Sequence, residues 1–185
     1  MPNFDRQELS EKTLELVEPV LAAIETLTEQ VEAYDKKADA YLARRPESKT
    51  LLQPKGVARV IVGTYMAVIG DPSRFTFSRR VPSYLGIVPR KDQSCEDDPQ
   101  LGISKAGSAD LRRVLIQGAH YIIGPHGEDS DLRRWGLKLA GDGKNKARKK
   151  KAAVAVARKL AILLHRLWVT GQDFEPLRNT NLKAS

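Results

Sequence analysis

Residues 150–171 read KKAAVAVARKLAILLHRLWVTG, and this stretch decides the fold class. Alanine and leucine dominate it, and both are strong helix formers. Gly171 supplies the signal that ends a helix. The stretch therefore predicts one long helix. Because strand signals are weak along the rest of the chain, we expect a mainly α-helical fold.

A second helix is predicted upstream, in SADLRRVLIQGAHYIIG (108–124). It should start near Ser108, since serine commonly caps a helix. The apolar side chains that would share its core face are Leu111, Leu115, Ala119 and Ile122. The segments on either side, 72–83 and 125–151, are polar or charged and are interpreted as loops.

Residues 8–45 predict a long N-terminal helix that forms a coiled-coil arm. From Val17 onward the apolar positions step by three and four residues, and charged residues fill most other sites, as in a heptad repeat. The stripe includes Val17, Val20, Ile24, Leu27, Val31 and Tyr34. Pro19 should kink this helix or mark its start. The partner of the arm could be another copy or another segment, and packing on its own domain is the alternative.

The segment from about 50 to 72 resembles a helix-hairpin-helix element. Its tight turn contains Lys55 and Gly56, and an apolar helix follows. In such an element a short turn points backbone N–H groups at a phosphate. The usual second glycine is replaced by Ala58, and a plain helical hairpin in the core is an equally good interpretation.

Charge is distributed unevenly along the chain. The net charge is +8 over 185 residues, but residues 1–50 carry 7 basic and 11 acidic side chains, a balance of −4. The remainder carries 24 basic and 12 acidic side chains, a balance of +12. A basic module of this kind predicts a polyanionic partner, namely nucleic acid, although an ordinary basic surface is the alternative.

A basic run, KNKARKKK (144–151), comes directly before the long helix. Followed by a helix with further basic residues, it predicts a surface that tracks a phosphate backbone. The residues assigned to this role are Lys149, Lys150, Lys151 and Arg158. A loose solvated loop is the alternative for the run.

The polar segment 86–107 could carry a reactive hydroxyl. It contains Ser94 and the single cysteine, Cys95. Arg90 and Lys105 could hold a phosphate near the serine, and the predicted helix at Ser108 would direct its positive end to the same place. A serine needs activation before it can attack, so a simple loop serine is the alternative on chemistry alone.

Metal, hydrolase and membrane chemistry receive little support. The three histidines form no ligand set, the acidic residues 96–98 resemble solvated charges, and no spacing selects a Ser-His-Asp trio. No apolar run approaches the roughly 18 residues that a membrane helix needs. The N-terminus lacks a signal-peptide pattern, and one cysteine fits a reducing compartment. We expect a cytoplasmic protein without membrane contact.

Three motifs in order resemble a transposase family. They are YLGIVPR (84–90), LGISKAGSADLRRVLIQGAH (101–120) and AVAVARKLAILLHRLWVTG (153–171). Together they are similar to the C-terminal half of the insertion-sequence one-ten/eleven-eleven transposases, which a bridge RNA guides. The resemblance covers about residues 50–178, and the preceding helix matches the coiled-coil arm of that family.

The resemblance implies a role for several residues. It places the catalytic serine of the family on Ser94, and the basic start of its helix on Lys105, Arg112 and Arg113. Cys95 stands where the family usually has glycine. It also implies a RuvC-like domain with four acidic residues, which binds Mg²⁺ and acts with the serine. We expect that domain to be absent from this chain, Mg²⁺ to be required only together with it, and the chain to be inactive alone.

The resulting prediction has an arm (1–48), a helical transposase domain (49–178) and a tail (179–185). The chain would be a DNA-binding transposase or recombinase fragment with a serine nucleophile. The alternative is a non-catalytic nucleic-acid-binding and dimerising remnant or regulator.

Expected partners are DNA, a guide (bridge) RNA and, through the arm, a second copy or the acidic domain. The expected location is bacterial, cytoplasmic and nucleoid-associated. The predicted nucleic-acid contacts are Lys55, Gly56, Arg90, Lys105, Arg112, Arg113, Lys149, Lys150, Lys151 and Arg158.

Overall fold

The computed structural model describes residues 11–90 and 102–179. Within them the chain forms seven α-helices and no strand, with a single antiparallel bridge between Pro89 and Ile103. The mainly α-helical prediction is confirmed. The helices are α1 (Glu11–Ala43), α2 (Glu47–Leu51), α3 (Arg59–Ile69), α4 (Val81–Tyr84), α5 (Ala109–Ile123), α6 (Asp131–Ala140) and α7 (Lys146–Thr170).

The chain divides into two units, Met1–Tyr41 and Leu42–Ser185. The first contains most of α1, which continues through Pro19. Side chains of its predicted stripe are exposed, with Ile24 at 46%, Val31 at 59% and Tyr34 at 68%. An apolar stripe at heptad spacing is therefore present on the helix surface of this unit.

Helix α7 is the centre of the second unit. Its buried face combines alanines with leucines, and helices α2, α4, α5 and α6 all pack against it. Alanine side chains are small, so neighbouring helices can approach α7 closely while the leucines fill the gaps between them. The buried α7 residues are Ala152, Ala153, Val156, Ala157, Leu160, Ala161, Leu164, His165 and Leu167. Gly171 follows with φ +62 and ends the helix as predicted.

Helix α5 begins as its sequence predicts. The Ser108 hydroxyl accepts a hydrogen bond from the Leu111 N–H at 3.2 Å, which caps the helix. The predicted core face, Leu111, Leu115, Ala119 and Ile122, is buried. This face packs against α3 and α7, so α5 is held between two layers of the core.

Two segments interpreted as loops are partly helical, and the loop interpretation was wrong there. Residues 131–140 of the 125–151 segment form α6, and the basic run enters α7 from Lys146. The Ser130 hydroxyl accepts a hydrogen bond from the Arg133 N–H, and this cap starts α6 among charged residues. The 72–83 segment contains two 3-10 turns and the start of α4.

The Tyr65 hydroxyl connects α3 to α7. The side chain is fully buried, and its hydroxyl donates to the Ala161 carbonyl at 2.8 Å. Burial raises the pKa of Tyr65 far above its ordinary value, and the backbone N–H of His165 opposes this shift only in part. The phenol therefore stays protonated and remains a hydrogen-bond donor.

We predict that Tyr65→Phe lowers the free energy of unfolding by about 1–2 kcal/mol, because a buried acceptor loses its donor. Urea denaturation measures this change. Tyr84→Phe is the matched control: its hydroxyl is 3.5 Å from the Val68 oxygen and exposed, so the loss should be under about 0.5 kcal/mol. Equal losses in the two variants would contradict the assignment.

Candidate nucleic-acid interface

The residues on either side of the segment with the candidate serine are joined by backbone hydrogen bonds. The Arg90 N–H donates to the Gly102 carbonyl at 2.9 Å, and the Ser104 N–H donates to the Val88 carbonyl at 2.9 Å. A third bond joins the Lys105 N–H to the Gly86 carbonyl at 3.1 Å. Residues 86–90 and 102–105 therefore form a short antiparallel stem, in which Arg90 and Gly102, the residues that flank segment 91–101, lie next to each other. Ser94 and Cys95 lie outside the described residues.

Two glycines allow the backbone on the two sides of the stem to approach closely at its base. Gly107 has φ +75, and a Cβ there would lie 2.2 Å from the Tyr84 carbonyl oxygen. Gly86 has φ +66, and a Cβ there would lie 2.2 Å from the Ala106 carbonyl oxygen. Both positions combine a left-handed backbone with a close approach, so each requires glycine.

Arg112 is bound to the backbone at the base of the stem. Its Nη1 atom donates to the carbonyls of Leu85 at 3.1 Å, Ala106 at 2.7 Å and Gly107 at 3.0 Å. One guanidinium thus joins the chain before the stem to the chain after it. The predicted phosphate contact of Arg112 stays untested, but in the structure this side chain serves the fold.

The other predicted basic residues near the stem are exposed. Arg113 forms an exposed ion pair with Asp110 of the same helix at 2.9 Å. Arg90 and Lys105 flank the ends of segment 91–101, and Lys105 has an unusual φ of +58. Lys105 lies at the base of the stem, near the start of α5, whereas Arg90 lies at the far end of the stem, where it pairs with Gly102. The N-terminus of α5 adds a partial positive charge at the base.

The Gly56 turn packs directly on α5. Gly56 has φ +91, and a Cβ at Gly118 would lie 2.8 Å from the Gly56 carbonyl oxygen. Helix α3 then starts at Ala58, which has no side-chain cap. Lys55 pairs with Glu128 at 3.2 Å on the surface. A turn with Gly56 thus joins α2 to α3, and both the helix-hairpin-helix interpretation and the contact with phosphate stay predictions.

The basic run forms the exposed first turns of α7. Lys149, Lys150, Lys151 and Arg158 are all exposed, so they are available to a partner on the surface. Asn145 caps the helix through a hydrogen bond from the Arg148 N–H. The run is thus presented on a rigid helix rather than on a loose loop.

A basic groove that the sequence did not predict lies between segment 76–83 and α7. Arg79, Arg80 and Arg166 line it, together with Phe77. Its volume is about 670 Å³. The sequence FSRR (77–80) could have indicated a basic cluster with an aromatic residue, but Arg166 comes next to it only in the folded chain.

Within the described residues, no group of three or more acidic, histidine or cysteine side chains could hold a metal ion. The Mg²⁺ implied by the resemblance therefore finds no ligand set in this part of the chain. No helix in the same residues is long and apolar enough to cross a membrane.

Comparison with known proteins shows which family the second unit resembles. Residues 48–131, which run from α2 through the stem to the start of α6, match the model described as the transposase IS116/IS110/IS902 family. Over these residues the chain is similar to the transposase domain of this family.

Several curated relatives are similar to the chain. The putative transposase y4rJ of Sinorhizobium fredii is 31% identical over 156 residues, which cover 78% of this chain and 39% of the relative. The transposase for insertion sequence element IS1111A of Coxiella burnetii is 28% identical over 136 residues, which cover 74% and 36%. The pilin gene-inverting protein of Moraxella lacunata is 26% identical over 121 residues, which cover 65% and 36%. The chain spans less than half the length of these relatives.

We predict different roles for the adjacent arginines of the transposase domain. Arg112→Gln should lower the free energy of unfolding by about 2–3 kcal/mol, because it removes charge-assisted bonds to three carbonyls. Arg113→Gln is the matched control and should cost less than about 0.5 kcal/mol, since its ion pair is exposed. Thermal and urea unfolding measure both changes. Similar losses would show that Arg112 does not hold the stem.

Proposed function

We propose that this chain is the DNA-binding part of an insertion-sequence transposase, in which Ser94 is the nucleophile of strand exchange. One observation carries the proposal: within the region similar to a transposase domain, a paired stem holds Arg90 and Gly102, which flank the Ser94 segment, next to each other, and Arg112 of α5 binds the base of this stem. Ser94 follows Arg90 of this stem by four residues. A phosphodiester bound by the exposed Arg90, Lys105 and Arg113 would therefore be presented to this segment.

The chemistry that we propose is attack on a phosphodiester. The Ser94 oxygen forms a bond to phosphorus while the bond from phosphorus to the leaving strand oxygen breaks. The hydroxyl proton goes to that leaving oxygen, so a serine–DNA ester and a free hydroxyl end result. A neutral serine needs an activating partner. We propose that an acidic domain, with its Mg²⁺, supplies the activation, and that a guide RNA selects the site.

The exposed α7 lysines support binding to DNA by charge. Lysines that neutralise phosphates release condensed counterions, which makes affinity depend steeply on salt. Contacts of this type position the duplex and carry little sequence information. We propose that Lys149, Lys150, Lys151 and Arg158 serve this purpose.

We predict that replacing Lys149, Lys150 and Lys151 by Gln lowers the slope of log affinity against log salt by up to about 2.7, which corresponds to three phosphate contacts. Fluorescence anisotropy with a duplex at several salt concentrations measures the slope. The control replaces Lys36, Lys37 and Lys49, which removes the same charge from other helices and should change the slope less. A flat slope for the unmodified protein would contradict binding by charge.

We predict that the chain alone binds DNA without forming an adduct. Adding in trans the part of a relative that this chain does not cover, with Mg²⁺, should produce a covalent adduct that survives denaturation. Ser94→Ala should abolish the adduct and leave DNA affinity nearly unchanged, because one neutral hydroxyl contributes little beside many charges. Ser104→Ala, in the stem, is the matched control and should retain the adduct.

Denaturing gel electrophoresis and peptide mapping detect the adduct. An adduct that survives Ser94→Ala would contradict the nucleophile assignment. If the chain binds DNA but forms no adduct, even with the added part of the relative and Mg²⁺, the alternative is favoured: a non-catalytic nucleic-acid-binding and dimerising regulator.

The arm supports a role in association. Its exposed stripe, at heptad spacing, would be buried if a second copy or another transposase segment packed against it. We propose that α1 mediates self-association, or docking of the acidic domain.

We predict that Ile24→Asp with Val31→Asp shifts the protein toward monomer, because charges in the stripe oppose its burial. The matched control, Ala22→Asp with Ala33→Asp, adds the same charges at exposed positions outside the stripe and should leave association intact. Sedimentation velocity measures the state. A monomeric profile for the unmodified protein, unchanged in both variants, would contradict self-association.

A further inference from the structure

The groove formed by Phe77, Arg79, Arg80 and Arg166 is strongly basic. All three arginines are exposed, and the described residues that line the groove include no aspartate or glutamate. A neighbouring groove of about 320 Å³ shares Arg79 and Arg166 and adds Lys159. Arg178 lines that second groove as well, but so do Asp131 and Glu175, so the second groove mixes acidic and basic side chains whereas the charged side chains of the first are all basic. This arrangement suits an anionic chain.

Phe77 contributes an aromatic surface to the groove. Its side chain is 63% exposed, and the Arg80 guanidinium lies 6.0 Å from its ring centroid. Phe75, two residues earlier, packs instead against the rings of Tyr84 at 5.4 Å and His165 at 5.5 Å. Phe75 therefore serves the packing of this segment, while the ring of Phe77 is available to a ligand.

A buried histidine fixes the segment that carries Phe77. His165 is 1% exposed, and its Nε2 and Nδ1 atoms lie 3.0 Å from the Pro72 carbonyl and 2.9 Å from the Ser78 hydroxyl. A carbonyl only accepts, so Nε2 carries a hydrogen, and in the neutral ring Nδ1 then accepts from the Ser78 hydroxyl. Ser78 lies between Phe77 and Arg79, so both groups are anchored to α7 before a ligand arrives. Such preorganisation lowers the entropic cost of binding.

We propose that this groove binds unpaired nucleotides of a nucleic-acid strand. The arginines would contact successive phosphates, and a base would stack on Phe77. Paired bases within a duplex already have both faces stacked on their neighbours, so Phe77 can reach a base face only in an unpaired strand. Aromatic stacking combined with a basic groove is the general mode of binding to single strands. The inference rests on the proposed function, because strand exchange exposes unpaired strands to the protein.

The test compares the full chain with three labelled ligands of one sequence: single-stranded DNA, single-stranded RNA and duplex DNA. Phe77→Leu keeps the apolar volume but removes the aromatic face. It should weaken single-strand binding by roughly 5- to 100-fold and leave duplex binding nearly unchanged. Phe77→Trp should retain or increase single-strand affinity. Replacing Arg79 and Arg80 by Gln should lower the single-strand salt slope by up to about 1.4.

The outcomes separate this inference from the proposed function. Unchanged single-strand affinity in Phe77→Leu, with duplex binding that still depends on Lys149, Lys150 and Lys151, would overturn the inference and leave the proposed function intact. Failure of the unmodified protein to bind any nucleic acid would overturn both. An effect confined to DNA or to RNA supports the groove and identifies its strand. Thermal unfolding of each variant confirms that the fold is retained, as expected for exposed side chains.

Discussion

Burial of one face of α7 is the constraint on which the rest of the domain depends. Ala153, Ala157 and Ala161 are fully buried, and their small side chains let α5 and α6 approach closely. The same helix anchors α3 through the Ala161 carbonyl and anchors the Pro72–Ser78 segment through His165. Because these anchors lie on one helix, the hairpin, the stem and the basic groove all have fixed positions within one unit.

The stem connects this core to the proposed chemistry. Arg112 lies in the first turns of α5, and its guanidinium binds the backbone before and after the segment that contains Ser94. The family match spans this region, whereas the chain covers only 39% of the relative y4rJ. In the proposed activity, this chain supplies the Ser94 nucleophile and the DNA-binding surface, and an acidic domain supplies the activation.

Particular residues show what could be predicted from the sequence. Ser108 and Gly171 mark ends of α5 and α7 because capping is local, and the apolar face of α5 follows from helical periodicity. Helix α6 was missed because four of its ten residues are charged and its Ser130 cap follows other polar residues. Arg112 and Arg113 are adjacent and chemically identical, so only the structure separates a residue of the fold from an exposed one. The groove was missed because Arg166 is 86 residues from Arg80 in the sequence. The placement of Ser94, outside the described residues, stays a prediction.

The paired stem also has a consequence for how this region can vary. The backbone bonds at Arg90, Ser104 and Lys105 hold Arg90 and Gly102, which flank the eleven-residue segment 91–101, next to each other, and none of these bonds involves that segment. Closing a longer flexible segment over such a stem is inexpensive, about 0.6 kcal/mol for each doubling of length. Insertions and substitutions between residues 91 and 101 should therefore be tolerated by the fold. The domain should therefore accept a replacement of segment 91–101 by another sequence, while its helices keep their packing.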